Sequence, residues 1–258
     1  MSYYDWEDNF NTLKTIIEEF YDIEQIKKNL INGSKLQEEW FPVNQDWMKF
    51  DVFISHSHKD IESTIKPLAF WIENNLGLNC FVDSLFWQYA DDLLKSIDDW
   101  YAIKDNGSYN YDIRNYTTSH VHAMLSMALM NMMAKTEMVL FVDSDNSIKY
   151  QKGLAQTPSP WLYEEINFAK NLQVVLPERY VDKLVPINES GGRIQQRCFD
   201  SHELNVRYEV DLTMFYEIYA NTLVNNKRNG NTGDDALDFF HSKALKSYGK
   251  NKNHWIYG

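Results

Sequence analysis

Cysteine is scarce in this chain of 258 residues, in which Cys80 and Cys198 are the only two. So few cysteines exclude a disulfide-rich framework and a zinc site built on thiolates. Cys80 lies in an apolar run typical of a buried strand. We therefore expect buried, reduced thiols, with a single structural disulfide as the alternative.

Long apolar runs are also missing. None exceeds about ten residues, whereas a membrane-spanning helix needs roughly 20. The opening residues, Met-Ser-Tyr-Tyr-Asp-Trp-Glu-Asp, lack the basic flank and apolar centre of a signal peptide. The sequence thus predicts a cytoplasmic protein without a membrane partner.

Basic side chains are in the minority, with 25 Lys and Arg against 37 Asp and Glu and a formal net charge of −12. This excess of negative charge disfavours nucleic acid and anionic lipid as partners. The chain also lacks a Gly-x-x-x-x-Gly-Lys phosphate loop, a Gly-x-Gly-x-x-Gly turn and a Gly-x-Ser-x-Gly elbow, which removes the common signatures of nucleotide-binding and hydrolase folds.

The residues that are present predict an α/β protein. Apolar residues make up 44% of the chain, enough for a sizeable core. We expect four regions: a helical N-terminal extension at 1–48, an α/β domain at 49–190 with an insertion at about 101–120, a closing helical segment at 191–225, and a linker with a C-terminal helix at 226–258.

Strand and helix patterns alternate inside the α/β region, which favours a parallel sheet with right-handed crossovers. The patterns predict strands at 50–55, 78–83, 137–143, 172–176 and 184–187. They predict helices near 60–75, 91–100, 118–134, 160–170 and 205–224. Pro67 should kink the first of these helices, and Gly77 should end it. The methionines between 124 and 133 are typical of core filling, with a flexible partner groove as the alternative.

The segment from Phe50 to Asp60 joins an apolar strand to a polar turn that can open a helix. In open α/β sheets, ligands bind at such carboxyl ends of strands. The same pattern also occurs as a plain buried strand followed by a helix cap, without any chemistry.

Two adjacent glutamates on the helix near 160–170 differ in their predicted environments. With Leu162, Ile166 and Ala169 as the buried stripe, Glu165 lies about 65° from its centre and Glu164 about 165° away, in solvent. Trp161 shares the side of Glu165, and could shield it and raise its pKa. The alternative is an ordinary boundary carboxylate near a helix N-terminus.

Histidines stand two apart in two places, His56 with His58 and His120 with His122. Neither pair has a third ligand at a zinc-like spacing, so no metal is expected. A place for His120 or His122 in the lining of a ligand pocket is favoured over metal binding.

Several motifs together resemble the TIR (Toll/interleukin-1 receptor) domain family, over about residues 50–190. Phe50-Asp51-Val52-Phe53-Ile54-Ser55 resembles its first strand, Cys80–Asp83 its second, and Val139–Ser144 a strand ending in a serine. Trp161-Leu162-Tyr163-Glu164-Glu165-Ile166 is similar to the glutamate motif of TIR domains that cleave NAD, with Glu165 in the catalytic place. The excursion around Arg114-Asn115 resembles bacterial Thoeris antiphage TIR proteins.

This resemblance implies a flavodoxin-like TIR fold and an NAD-consuming activity without a prosthetic group. Glu165 would be catalytic, and the substrate would be bound by a set of residues around it: Ser55, His56, Ser57, His58, Asp83, Ser84, Phe86, Trp87, His120, Ser144 and Trp161. The loop after the first strand has no arginine, so backbone N–H groups, Ser57, His58 or Lys59 would bind the phosphates of NAD.

The family also implies partners. Self-association through TIR surfaces, including the loop at 84–90, would assemble the enzyme. An ADP-ribose-derived product would activate a separate effector protein in antiphage defence. The alternative is a non-enzymatic TIR scaffold that acts by association alone.

Overall fold

The structure is a computed structural model. It describes residues 33–181 apart from 47, 152, 173 and 176, and residues 207–248 apart from 214, together with residues 7, 8, 11, 12, 15, 255 and 256. Most of the predicted N-terminal helical extension, the predicted strand at 184–187 and Cys198 lie outside these residues.

A parallel three-stranded sheet forms the centre of the described fold. Strands β1 (Val52–Ser55), β2 (Cys80–Val82) and β3 (Met138–Phe141) stand in the order β2-β1-β3. Val52 pairs with Cys80 on one side and with Met138 on the other. The prediction of a mixed α/β fold with a parallel sheet is confirmed. Strand β1 has a neighbour on each side, so the connection from β1 to β2 and the connection from β2 to β3 run in opposite directions across the sheet. Open α/β sheets form their ligand crevice at the carboxyl end of the strands where this reversal occurs.

Helices cover both faces of this sheet. Helix α1 (Gly33–Trp40) precedes β1, and α2 (Lys66–Leu76) connects β1 to β2. Helices α3 (Ser84–Tyr101) and α4 (Tyr111–Lys135) connect β2 to β3. Phe53 of β1 packs into one core with α1, α3 and α4, whereas Val52 and Ile54 pack into a second core with α2. Alternate residues of a strand point to opposite faces, so one short strand serves both cores.

The helix after β1 differs from the prediction at its start. A 3-10 turn (His58–Asp60) and a π-helical turn (Ile61–Ile65) come first, and Pro67 then lies in the first turn of α2. Proline cannot donate a backbone hydrogen bond and is tolerated there. Gly77 ends α2 as predicted, with a left-handed φ of 64° and its N–H donated to the carbonyl of Glu73 at 3.1 Å.

The connection between β2 and β3 is more helical than predicted. Helix α3 begins at Ser84, so the loop expected at 84–90 is wrong, and α4 begins at Tyr111, seven residues earlier than expected. Asp98 of α3 is buried and accepts hydrogen bonds from Arg114 Nε at 2.9 Å and Thr117 Oγ1 at 2.5 Å. These bonds fasten the two helices to each other.

An antiparallel sheet follows β3 and was not predicted. Strands β4 (Lys149–Gln151) and β5 (Leu154–Thr157) form a hairpin, helix α5 (Pro160–Asn171) follows, and β7 (Tyr208–Glu209) pairs with β5. The predicted helix at 205–224 is therefore wrong over 207–219, apart from residue 214, which lies outside the described chain. In this stretch, Phe215 packs partly buried against the first core and Ile218 against the second, without forming a helix.

The remaining elements lie towards the end of the chain. They are β6 (Val174–Val175), α6 (Glu178–Val181), α7 (Ala220–Arg228), α8 (Asp234–Tyr248) and β8 (Trp255–Ile256). Strand β6 pairs with β8. Helix α7 covers the first four residues, 225–228, of the stretch 225–233 that was expected to be a linker. The apolar face of α8 docks on the chain itself, because Ala236, Leu237 and Phe240 are buried in the second core.

Within the described residues, no helix is long and apolar enough to cross a membrane.

Candidate functional site

Five buried polar side chains meet at the carboxyl ends of β1 and β2. They are Ser55, His56, Asp83, Ser84 and Glu165, and none is more than 8% exposed. Strands β1 and β2 are apolar up to their carboxyl ends. The polar residues at and directly after these ends are therefore buried at this edge of the sheet. Buried polar groups are costly unless paired, which makes such a concentration typical of functional sites.

Glu165 reaches this edge from α5. Ser159 caps the helix by accepting a hydrogen bond from the Leu162 N–H at 3.3 Å. Leu162, Ile166 and Ala169 are buried as predicted, and Glu165 is only 2% exposed. Ser55 Oγ donates a hydrogen bond of 2.5 Å to Glu165 Oε2. Glu165 Oε1 has no hydrogen-bond partner among the described residues.

The pKa of Glu165 stands well above its ordinary value. Burial is the largest cause, followed by the negative charge of Asp83, while the hydrogen bond from Ser55 acts in the opposite direction. The closeness of the Asp83 carboxyl group also favours the protonated form of Glu165, because a proton on Glu165 removes the repulsion between the two. Two carboxyl groups that share one buried site rarely both ionise. The shared burial therefore favours the protonated form of Glu165 in the unliganded protein.

His56 lies between Asp83 and Ser84. Its Nδ1 is 2.8 Å from Asp83 Oδ1 and 3.1 Å from the Ile54 carbonyl oxygen, and its Nε2 is 2.6 Å from Ser84 Oγ. The Nδ1–H is directed at Ile54, and Asp83 Oδ1 accepts no well-aligned hydrogen bond within the described chain. The Asp83 contact is an ion pair when His56 is protonated, because the two atoms are only 2.8 Å apart.

The pKa of His56 is raised. Burial, the largest influence, lowers it, but the charge and proximity of Asp83, the Ile54 carbonyl and the charge of Asp60 together outweigh burial. His56 thus takes up a proton more readily than a free imidazole does.

Ser57 and His58 stand at the rim of this cluster. Ser57 is half-buried and makes no side-chain cap, although its carbonyl accepts the Asp60 N–H at 2.8 Å. His58 is exposed, and its Nδ1 lies 3.2 Å from Ser84 Oγ. Ser84 therefore touches two imidazoles.

Ser144 belongs to a neighbouring cluster rather than to the Glu165 contacts. Its Oγ donates to Asp60 Oδ2 at 2.5 Å, and Asn146 Nδ2 donates to Asp60 Oδ1 at 2.6 Å. These bonds join the turn after β1 to the loop after β3. The sequence predicted Asp60 only as part of the polar turn after β1, and not as a partner of Ser144, which lies far away along the chain.

The structure brings His122, and not His120, to Trp161. The His122 ring lies edge-on to Trp161, with centroids 5.1 Å apart, whereas His120 is exposed and packs on Tyr116 at 4.4 Å. Residues two apart on a helix point in different directions, so only one of the pair can face α5. The role of His120 as a binding residue stays a prediction, and the contact with Trp161 belongs to His122.

The sequence also gave predictions for Phe86, Trp87 and Glu164. Phe86 and Trp87 lie in the first turns of α3, and their side chains are outside the described structure. Glu164 is half-buried rather than in solvent, because Ser126 Oγ donates to its Oε2 at 3.1 Å.

Taken together, the described residues define a mixed α/β protein with a buried carboxyl, imidazole and hydroxyl site at the edge of a parallel sheet. No protein-family model, curated protein or solved structure matches this chain. In the part of the chain that the structure describes, no group of three or more His, Cys, Asp or Glu side chains could hold a metal ion.

Proposed function

We propose that this chain is a TIR-type enzyme that cleaves the bond between nicotinamide and ribose in NAD. The observation that carries the proposal is the position of Glu165. It is buried, bonded to Ser55 at the end of β1, and follows Trp161 by four residues, in the motif that resembles NAD-cleaving TIR domains. The parallel sheet is compatible with a flavodoxin-like TIR fold.

The chemistry suits a single buried carboxylate. Loss of nicotinamide expels a neutral leaving group and leaves oxocarbenium character on the ribose, which a positioned anion stabilises. Before substrate binds, burial and Asp83 favour the protonated form of Glu165. The positive charge on the nicotinamide ring of NAD favours the ionised carboxylate, and so helps to remove that proton.

The test is nicotinamide release from NAD by the wild-type chain and by Glu165→Gln, in purified protein over a range of concentrations and in cells that express it. We expect Glu165→Gln to lose about 10²-fold or more, because it keeps the shape and removes the charge. Glu164→Gln is the matched control and should stay within a few-fold. Equal release by wild type and Glu165→Gln would contradict the proposal.

The rate should also rise with pH as Glu165 loses its proton. The raised pKa places this rise above the ordinary glutamate range. The matching measurement is nicotinamide release by the wild-type chain over a pH series.

We further propose that the product is an ADP-ribose derivative that diffuses to a separate effector, with the enzyme working in the cytoplasm and self-associating through its TIR surfaces. Mass spectrometry of the product formed from NAD would identify it.

A non-enzymatic scaffold is the second candidate. The observation that favours it is a set of exposed aromatic side chains around the turn between α3 and α4, including Tyr111 at 75% and Tyr116 at 68% exposure. Such side chains are common in association surfaces. The scaffold predicts concentration-dependent association in sedimentation, weakened by Tyr111→Ser, with no nicotinamide release by any variant.

A further inference from the structure

Ser84 and Asp83 contact opposite nitrogens of the His56 ring in the buried cluster, and the His56 Nδ1–H is directed at the Ile54 carbonyl. His56 Nε2 is 2.6 Å from Ser84 Oγ, and His56 Nδ1 is 2.8 Å from Asp83 Oδ1. The exposed fractions of the three residues are 8%, 3% and 4%. A hydroxyl bonded to an imidazole, which an acid contacts on its far side, is the geometry of an activated serine nucleophile.

We propose that Ser84 is a nucleophile for acyl transfer from carboxylic esters, with His56 as its general base and Asp83 as the residue that positions and charges His56. This activity is separate from NAD cleavage and does not depend on it.

The reaction balances with water as the second reactant. Ser84 Oγ attacks the ester carbonyl carbon, and its proton passes to His56 Nε2. The bond from that carbon to the alcohol oxygen breaks, and His56 returns the proton to the departing alcohol. Water, deprotonated by His56, then attacks the acyl group on Ser84 and releases a carboxylic acid, and the proton restores the Ser84 hydroxyl.

The backbone at Ser84 supplies donors for the oxyanion that forms in each attack. Ser84 is the first residue of the 18-residue helix α3, and the Asp83 side chain makes no hydrogen bond that caps this helix. The first N–H groups of a helix have no partner within the helix and lie at its positive end. A carbonyl oxygen next to Ser84 can approach these groups.

The charges around the three residues support their roles. His56 faces Asp83 at the end of β2 and Asp60 in the turn after β1, both of which favour its protonated form. Glu165, from α5, faces Asp83, and Glu164 lies beside it on the same helix. His58 places a second imidazole 3.2 Å from Ser84 Oγ.

A fluorophosphonate probe tests the nucleophile directly. Attack by Ser84 forms an Oγ–P bond and breaks the P–F bond, so fluoride leaves and the proton goes to His56. We expect one adduct, located at Ser84 by mass spectrometry of the intact chain and its peptides. The adduct should be absent in Ser84→Ala and should form at least about 10²-fold more slowly in His56→Gln. Ser119→Ala removes an exposed serine on α4 and should label as wild type.

The pH dependence needs no variant. Labelling of wild type should accelerate as pH rises through the raised pKa of His56, because only the neutral imidazole can accept the proton. An acetyl group should likewise transfer from p-nitrophenyl acetate to Ser84, with release of p-nitrophenolate that Ser84→Ala abolishes.

Absence of probe at Ser84 in folded wild type would overturn the proposal, as would labelling that is independent of pH, and circular dichroism establishes folding in each case. Nicotinamide release is measured on the same preparation. Labelling without NAD cleavage supports the nucleophile and counts against the NAD enzyme, and cleavage without labelling does the reverse.

Discussion

At the residue scale, burial sets the protonation of the site. Glu165 is almost completely enclosed, and its contacts with Ser55 and Asp83 do not restore the hydration that a carboxylate loses. The free energy of the charged form therefore rises, and the neutral form persists to higher pH. The same burial acts on His56, but there the neighbouring carboxylates prevail and the charged form is favoured.

Glu165 should make the protein less stable as pH rises. Its pKa in the folded chain is raised above the ordinary value of 4.5, so its stabilising contribution is complete below that value and is lost as pH rises through the folded pKa. Glu165→Gln keeps the hydrogen bond to Ser55 without this loss. We expect it to be more stable than wild type above the folded pKa of Glu165, because Gln carries no charge that burial would penalise.

Urea unfolding at a series of pH values measures this difference. Glu164→Gln, whose wild-type side chain is half-buried and bonded to Ser126, is the control and should show no such trend. A Glu165→Gln protein that is less stable than wild type at high pH would mean that the charge of Glu165 is satisfied in the fold.

At the element scale, local sequence signals predicted the ends of some helices more accurately than those of others. Gly77 ended α2 where the sequence predicted it, because a left-handed residue after a helix favours glycine. Ser84–Ala90 was assigned to a loop on the strength of the family resemblance. Its local sequence, Ser-Leu-Phe-Trp-Gln-Tyr-Ala, contains no helix breaker and continues into α3.

Gly77→Ala should destabilise the protein by about 1 kcal/mol, the cost of a left-handed conformation for a residue with a Cβ. Its new Cβ would lie 3.7 Å from the Gly233 nitrogen, an ordinary contact, so the backbone conformation alone accounts for the loss. Gly33→Ala is the matched control. It lies in α1 with its Cβ 3.6 Å from Met124, and it should be neutral or stabilising.

Thermal unfolding of Gly77→Ala, Gly33→Ala and wild type measures the two differences in stability. Equal stability of Gly77→Ala and wild type would show that the chain relaxes out of the left-handed conformation at no cost.

At the scale of the whole molecule, one ionic network joins distant parts of the chain. Glu137, just before β3, is paired with Arg179 of α6, and His241 of α8 lies with its Nε2 2.8 Å from Glu137 Oε1. Arg179 Nε also lies 3.3 Å from Asp238 Oδ1 of α8. The network fastens the C-terminal helix beside the base of the sheet.

Glu137→Gln should weaken this connection in a pH-dependent way. Burial raises the pKa of Glu137, but hydrogen bonds from His241 and Arg179 and their positive charges lower it below 4.5 overall. Its contribution is thus present above the ordinary value and lost as pH falls through the folded pKa. We expect Glu137→Gln to cost about 1–2 kcal/mol at neutral pH and to match wild type in strong acid.

Urea unfolding at neutral and acidic pH compares the two proteins. Glu178→Gln, on an exposed residue next to Arg179, is the control and should have little effect. A loss that persists unchanged in acid would assign the role of Glu137 to packing rather than to charge.

The sequence by itself determined the features that depend on local pattern. Apolar runs predicted the three parallel strands. Helical periodicity placed Glu165 near the buried stripe of α5, and Gly77 predicted the end of α2. These features follow from side-chain period and backbone sterics, which act over a few residues.

Only the tertiary structure decided which distant residues meet. Ser55 and Glu165 are 110 positions apart, yet they share a hydrogen bond, and Ser144 joins Asp60 across 84 positions. The β4–β5 hairpin pairs with β7 through backbone contacts that no local pattern encodes. The raised pKa of Glu165 likewise depends on burial and on Asp83, and both exist only when β1, β2 and α5 are packed together.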